Sequence, residues 1–345
     1  HLTKFSSIIL LLLLSSFQVY GQYSAPENWF NLDPQVDKIN GVSSDRMHEE
    51  ILKDVPAKKI IVAVIDSGVD PEHEDLKDVM WVNKDEIPGN GIDDDNNGYV
   101  DDIHGWNFIG GKDGKHVYHD TYELTRIVGR LNKEYEGVDP SSLKDAELER
   151  YNKYLSYKED IDKEFEKAAT QVEQYSQILN YVNMALEMSR EALGDELITK
   201  ENIDALDGDK YGMVKSFFAQ LLPQLGPFEG TVDDLEPLVI DDLEEALDHF
   251  SVKMNYSYNI DFDSRTIVKD DFDDVKEKYY GNGDVKGPHS FHGTHVAGII
   301  AAKRDNDVGV KGVADHVSIM SVRAVPDGDE RDKDVANAIR YAVDN

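Results

Sequence analysis

Two short motifs far apart in the chain constrain its fold most strongly. Residues 60–66 form a continuous apolar run that ends in Asp66, and such a run is typical of a buried strand in a parallel sheet. Residues 292–298 read His-Gly-Thr-His-Val-Ala-Gly, which predicts the start of a helix packed closely on that sheet because its residues are small. The two motifs therefore predict an α/β fold with a carboxylate and an imidazole at one sheet edge.

The order of these motifs resembles that of subtilisin-type serine proteases, whose catalytic residues follow the order Asp, His, Ser. The resemblance implies a parallel sheet with helices on both faces. It also implies that Asp66 orients the imidazole and that His292 is the base that activates a serine hydroxyl. The nucleophilic serine and the asparagine that stabilises the oxyanion are expected beyond Asn345, so this polypeptide alone should be inactive.

The other histidines have weaker claims to catalysis. His295 lies about one helical turn after His292 and is expected to be a packed, hydrogen-bonded core residue. His289 precedes the motif and could line the cleft. The remaining candidates show no zinc-site spacing and are expected at the surface or in loops: His73, His104, His116 and His119.

The composition limits where the protein acts and what it binds. Its formal charge of −33 opposes binding to nucleic acid and to anionic membranes. Residues 1–21 have the charged start, apolar centre and small-residue end of a signal peptide, and the apolar run is too short for a membrane anchor. This pattern predicts that the protein is secreted or periplasmic. Without cysteine, it must be held by its core or by metal.

The chain is predicted to contain one interrupted domain. Residues 22–111 would form the first part of the catalytic domain, without room for an inhibitory prodomain, and residues 286–345 would continue it. Residues 112–285 would form a mainly helical insertion, in which a long amphipathic helix begins near Asp139 and ends near Gly194, with further helices at 211–222 and 235–250. The insertion should fold as a hairpin or bundle, either packed on its own domain or serving as a dimerisation arm for a protein partner.

After the insertion, strand and helix alternate. The sequence predicts a helix over 292–303, a strand over 317–322 and a helix over 334–343. The apolar residues of the last helix are expected to face the sheet: Ala336, Ile339, Ala342 and Val343. In the family the segment at 326–331 would form one wall of the substrate cleft, and its charged residues suggest a preference for basic or polar side chains.

The acidic loop at 93–102 has the spacing of a calcium site, with oxygen ligands at alternate positions around a glycine. The expected ligands are Asp93, Asp95, Asn97, Asp101 and the Tyr99 carbonyl, with Asp102 or a water completing the shell. His104 replaces the glutamate of an EF-hand, so this is not an EF-hand. A solvated acidic turn is the alternative, although adjacent carboxylates would then repel each other.

The resemblance implies a second calcium site. Many subtilisin-like enzymes bind calcium with an acid shortly after the catalytic aspartate and with a loop after the histidine helix. Asp75 matches the first, and the loop at 304–310, which contains Asp305, resembles the second. Gln35 or Asp37 could supply a further ligand.

Three functions compete on this sequence. The leading one is a secreted, calcium-stabilised serine endopeptidase that acts on proteins or peptides. The alternative is a catalytically silent homologue that serves as a calcium-dependent binding or assembly module. A generic acidic adhesin is the third, and it would need no contact between Asp66 and His292.

Overall fold

The computed structural model of this protein describes residues 25–345, so the expected signal peptide at 1–21 lies outside the described residues. The strands are β1 (Ile60–Asp66), β2 (Gly105–Asn107) and β3 (Val317–Arg323). The helices are α1 (Ser44–Met47), α2 (Glu123–Glu134), α3 (Asp145–Leu193), α4 (Lys200–Ala205), α5 (Gly208–Leu225), α6 (Val232–Val252), α7 (Arg265–Val268), α8 (Phe291–Ala301) and α9 (Asp332–Asp344). No helix within the described range is long and apolar enough to cross a membrane.

The three strands form a parallel sheet in the order β1-β3-β2. Arg323, at the end of β3, is in register with Asp66 of β1 and with Asn107 of β2. All three strands therefore end at the same edge, and this edge positions the candidate site. The predicted α/β class with a parallel sheet is confirmed.

Helices cover both faces of the sheet. On one face Val64 and Ile319 pack against Ala297 and Ala301 of α8. On the other face, the neighbouring strand residues Met320 and Val322 belong to a second cluster with Ala338 and Tyr341 of α9. Adjacent strand residues point to opposite faces, so α8 and α9 lie on opposite sides of the sheet.

Two expectations about burial were wrong. The start of β1 is not fully buried, because Ile60 and Ile61 are 48% and 46% exposed, and the apolar clusters cover the strand only from Val62 onward. In α9, Ile339 and Val343 face away from the core.

The buried face of α9 is largely polar instead. Asp334, Asn337 and Tyr341 lie inside because their hydrogen-bond partners are there. Tyr341 donates to Asp102 at 2.6 Å, and Asp334 accepts from Arg265 at 2.7 Å. Satisfied polar groups therefore determine which face of this helix is buried.

The chain divides into two compact units. The sheet unit comprises the described residues up to Tyr154 and those from Asn259 onward. The helical unit comprises Leu155–Tyr258, where the predicted bundle is found. Its core is a cluster of apolar side chains that includes Leu186 of α3, Phe218 of α5 and Leu235 of α6. Residues 112–154 and 259–285 were predicted to be parts of the insertion. In the structure they belong to the sheet unit.

Candidate active site

The site begins where the chain leaves β1. Asp66 is the last residue of the strand, and the Ser67 N–H donates a hydrogen bond of 2.7 Å to Asp66 Oδ1. Gly68 follows with a φ of +126°, and a Cβ at this position would lie 2.3 Å from the Lys286 carbonyl oxygen. Only glycine fits this turn, which aims the carboxylate away from the strand.

The start of α8 is pressed against this turn. A Cβ on Gly293 would lie 2.2 Å from the Gly68 carbonyl oxygen, so the helix and the loop touch backbone to backbone. The Asp70 N–H donates to Thr294 Oγ1 at 2.9 Å and fastens the loop to the helix. Close packing therefore requires a glycine at position 293 of the second motif.

This packing brings the two predicted side chains together. His292 Nδ1 lies 2.9 Å from each carboxylate oxygen of Asp66. The Asp66 side chain is largely buried, whereas that of His292 is 73% exposed. With a proton on Nδ1 donated to Asp66, Nε2 is left as an acceptor, and this arrangement can take a proton from a hydroxyl.

His295 does not occupy the core position expected for it. It is exposed, because the buried face of α8 is formed by Gly293, Ala297 and Ala301 at four-residue steps. His295 lies two residues from Gly293 and therefore faces away from the sheet.

A cavity of about 370 Å³ opens beside the pair. His289 lines it, as the sequence suggested. The full lining is Asp66, Ser67, Tyr118, His289, His292, Arg323, Val325, Pro326 and Asp327. Sequence reasoning missed two of these lining residues, Tyr118 and Arg323. Tyr118 belongs to no motif. Arg323 ends an apolar run, as Asp66 does, and this position could have identified it as a site residue.

The charged segment at 326–331 is only partly directed at the cavity. The Asp327 N–H donates to the Tyr118 carbonyl at 2.7 Å, and the Asp120 N–H donates to the Asp327 carbonyl at 2.9 Å. Arg331 turns inward and is buried against the Asp120 carboxylate, with Nε 2.8 Å from Oδ2. The side chain of Asp327 accepts from the His119 imidazole at 2.7 Å when that nitrogen is protonated.

The acidic loop contributes to a cluster of three carboxylates. Single oxygens of Glu86, Asp95 and Asp102 lie within 4.8 Å of one another. Burial raises the pKa of Asp102 to about 6, despite hydrogen bonds from Tyr341, Asn83 and Asn97. Closely spaced carboxylate oxygens suit a hard divalent cation such as calcium, which would favour the ionised form of Asp102. The cluster therefore fits a metal site.

The structure places the five predicted ligands of this loop differently. Asp95 lies in the cluster, and Asn97 Nδ2 donates to Asp95 at 3.2 Å. Asp93 accepts from the backbone N–H groups of Asn97 and Gly98, at 3.1 and 2.9 Å.

The Asp101 carboxylate likewise accepts hydrogen bonds from backbone N–H groups, those of Asn90 and Gly91. The ring of Tyr99 is buried in the core. Sequence reasoning missed Glu86, an acid shortly before the loop, which accepts from the N–H groups of Asp94 and Asp101.

The second calcium site is brought together only in part, because Asp75 contacts the loop at 304–310 whereas the other proposed ligands contact other groups. Asp75 is buried and accepts from Asn306 Nδ2 at 2.7 Å. The Asp305 side chain is 83% exposed and faces Lys311. Asp37 accepts from the Asp33 N–H at 2.7 Å, and Gln35 is exposed.

Parts of this chain are similar in sequence to known proteins. The "Subtilisin-like protease 1" of Plasmodium falciparum (isolate 3D7) is 38% identical over 109 residues, which are 30% of this chain and 16% of that protein. The protein of the same name from Plasmodium vivax is 45% identical over 72 residues, 21% of this chain and 11% of that protein. The "Thermophilic serine proteinase" of Bacillus sp. (strain AK1) is 47% identical over 55 residues, 16% of this chain and 14% of that protein.

These aligned segments span less than a fifth of the length of each relative. The sequence model of the subtilase family, in contrast, matches residues 57–345. A match of this extent, together with an aspartate and a histidine in contact at the sheet edge, shows that the chain belongs to the subtilase family.

Proposed function

We propose that this chain supplies the acid and the base of a secreted or periplasmic serine endopeptidase that cleaves proteins or peptides. The contact between His292 Nδ1 and Asp66, at 2.9 Å, carries the proposal. A serine supplied by the full-length protein would be the nucleophile. The same contact argues against an acidic adhesin, because an adhesin would not need an aspartate paired with a histidine.

In this mechanism His292 Nε2 takes the hydroxyl proton of the serine as the serine oxygen attacks the peptide carbonyl carbon. Asp66 keeps the Nδ1–H oriented and stabilises the imidazolium that forms. The imidazolium then gives its proton to the departing amine, and the C–N bond breaks. A water molecule, deprotonated by His292 in the same way, hydrolyses the acyl-enzyme and restores the serine.

The test uses the full-length protein, a peptide substrate and a fluorophosphonate that labels activated serines. The wild type should cleave and become labelled, and His292→Ala should lower kcat by about 10⁶-fold. His295→Ala is the matched control, because this exposed residue lies on the same helix, and its kcat should stay within about twofold. A folded wild type that neither cleaves nor becomes labelled would contradict the proposal and favour a calcium-dependent binding or assembly module.

Calcium is the cofactor that we propose for the cluster of Glu86, Asp95 and Asp102. Binding to the native state alone should stabilise it by about 2.7 kcal/mol at one hundred times the Kd. Chelation with EGTA should therefore lower the Tm, and calcium should restore it. Asp95→Asn should reduce the response, whereas Asp305→Asn, outside the cluster, should retain it. An identical Tm with EGTA and with calcium would exclude this site.

A further inference from the structure

Arg323 occupies a central place in the sheet. It ends β3 and is in register with Asp66 on one side and Asn107 on the other. The residue is only 1% exposed. An arginine buried to this degree needs hydrogen-bond partners for its guanidinium.

The guanidinium joins three segments of the chain. Nε donates to the Ser67 carbonyl at 2.8 Å, one terminal nitrogen donates to Asn107 Oδ1 at 3.2 Å, and the other donates to the Val117 carbonyl at 2.5 Å. All three of these acceptors are uncharged oxygens. Burial lowers the pKa of Arg323 to about 10, so the side chain stays charged at neutral pH.

Ser67 is held from both sides by these contacts. Its N–H donates to Asp66 Oδ1, and its carbonyl accepts from Arg323. Gly287 makes room for the arginine, because a Cβ there would lie 2.4 Å from Arg323 Nε. The arginine is therefore confined to one position, and it confines the turn that follows Asp66.

We propose that Arg323 is a positioning residue for the Asp66–His292 pair, because it fixes the Ser67 backbone that orients the carboxylate and ties this turn to Val117. The planar guanidinium presents donors in several fixed directions, so it can bond to oxygens of three separate segments at once. The structural part of this inference stands by itself, and its kinetic consequence rests on the proposed peptidase function.

The first test reads the tautomer of His292 by NMR in the full-length protein labelled with ¹⁵N-histidine. The His292 signals are assigned by their loss in His292→Gln. In the wild type the proton should reside on Nδ1, facing Asp66. In Arg323→Met the carboxylate should lose its orientation, and the signals should shift toward the Nε2–H form. This readout requires no peptidase activity, so it also decides the inference if the proposed function fails.

Arg265→Met is the matched control. Arg265 is also buried and bonds to Asp334 and Asp270, but neither partner belongs to the turn after Asp66. This variant should lose stability and keep the wild-type tautomer. A wild-type tautomer in folded Arg323→Met, or the same shift in Arg265→Met, would overturn the inference.

The second test is kinetic. Arg323→Met should lower kcat by about 100-fold, the scale expected for a misplacement of about 1 Å, while KM stays within about twofold because the donors of Arg323 are engaged by protein oxygens. Arg323→Lys retains one donor group and should recover kcat to within about tenfold of the wild type. If Arg323→Met does not fold, Arg323→Gln replaces it, because its shorter side chain cannot span from Ser67 to Val117. A wild-type kcat in the folded Met or Gln variant would again refute the inference.

Discussion

The two units of this protein are stabilised by different kinds of interior. Within the described residues, every buried polar side chain except those of Ser189 and Ser257 lies in the sheet unit. The helical unit is held by apolar side chains along α3, α5 and α6. Apolar contacts are non-directional, whereas hydrogen bonds and backbone contacts fix angles and distances. The unit that carries the candidate site is therefore the one whose interior imposes geometry.

The glycines near the candidate site also differ from those in α5. In the sheet unit, added Cβ atoms on Gly68 and Gly293 would collide with backbone oxygens. In the helical unit, Gly208 and Gly212 have nothing within 4 Å of such an atom. The candidate site depends on close backbone approach, so substitutions at these positions should affect catalysis first. Substitutions in the core of the helical unit should affect stability first.

Among three variants that compare the two units, Asp66→Asn should have the largest effect. An amide at this position favours the wrong tautomer of His292, and kcat should fall by about 10⁴-fold while the free energy of unfolding changes little. Steady-state kinetics and chemical denaturation measure the two quantities. Asp78→Asn, an exposed residue paired with Lys303, is the control and should retain activity. An active Asp66→Asn enzyme would refute the assigned role.

In the helical unit, Leu235→Ala should have the opposite signature. Leu235 is fully buried, and its truncation should destabilise the unit by about 3 kcal/mol with kcat unchanged. Hydrogen exchange of α3, α5 and α6 measures the loss. Leu238→Ala, at a position 57% exposed on the same helix, should have almost no effect. A fall in kcat for Leu235→Ala as large as that for Asp66→Asn would contradict the proposed difference between the units.

The smallest of the three effects is expected for Gly293→Ala. The new methyl group would push the start of α8 away from Gly68, and kcat/KM should fall by about 100-fold. Gly298→Ala on the same helix is the matched control, because nothing lies within 4 Å of its Cβ position. That control should keep its activity and gain about 0.5–1 kcal/mol of stability, since alanine favours helix. Equal activity of the two variants would show that close packing at Gly293 is unimportant.

Local patterns predicted much of the fold. The apolar run before Asp66 and the small residues after His292 indicated a strand and a helix, and the structure has both. The apolar periodicity indicated a helix ending near Gly194, and α3 ends at Leu193. These features depend on residues close in sequence, so a single sequence contains them.

Long-range partners could not be read in this way. The burial of Tyr341 depends on Asp102, far away in the chain, and no helical periodicity encodes that bond. Glu86 joins the acidic cluster because the chain folds back on itself. The calcium ligands and the catalytic roles of Asp66 and His292 stay predictions until they are measured.

The register of the sheet has a consequence for synthesis. β1 pairs with β3, which is translated about 250 residues later, a delay of roughly 13 to 50 s at ribosomal speeds of 5–20 residues per second. The apolar cluster of the helical unit lies entirely within Leu155–Tyr258 and is complete before that. We expect the bundle of the nascent chain to be folded before β3 is available to pair with β1. During that interval the unpaired β1 should need protection from aggregation.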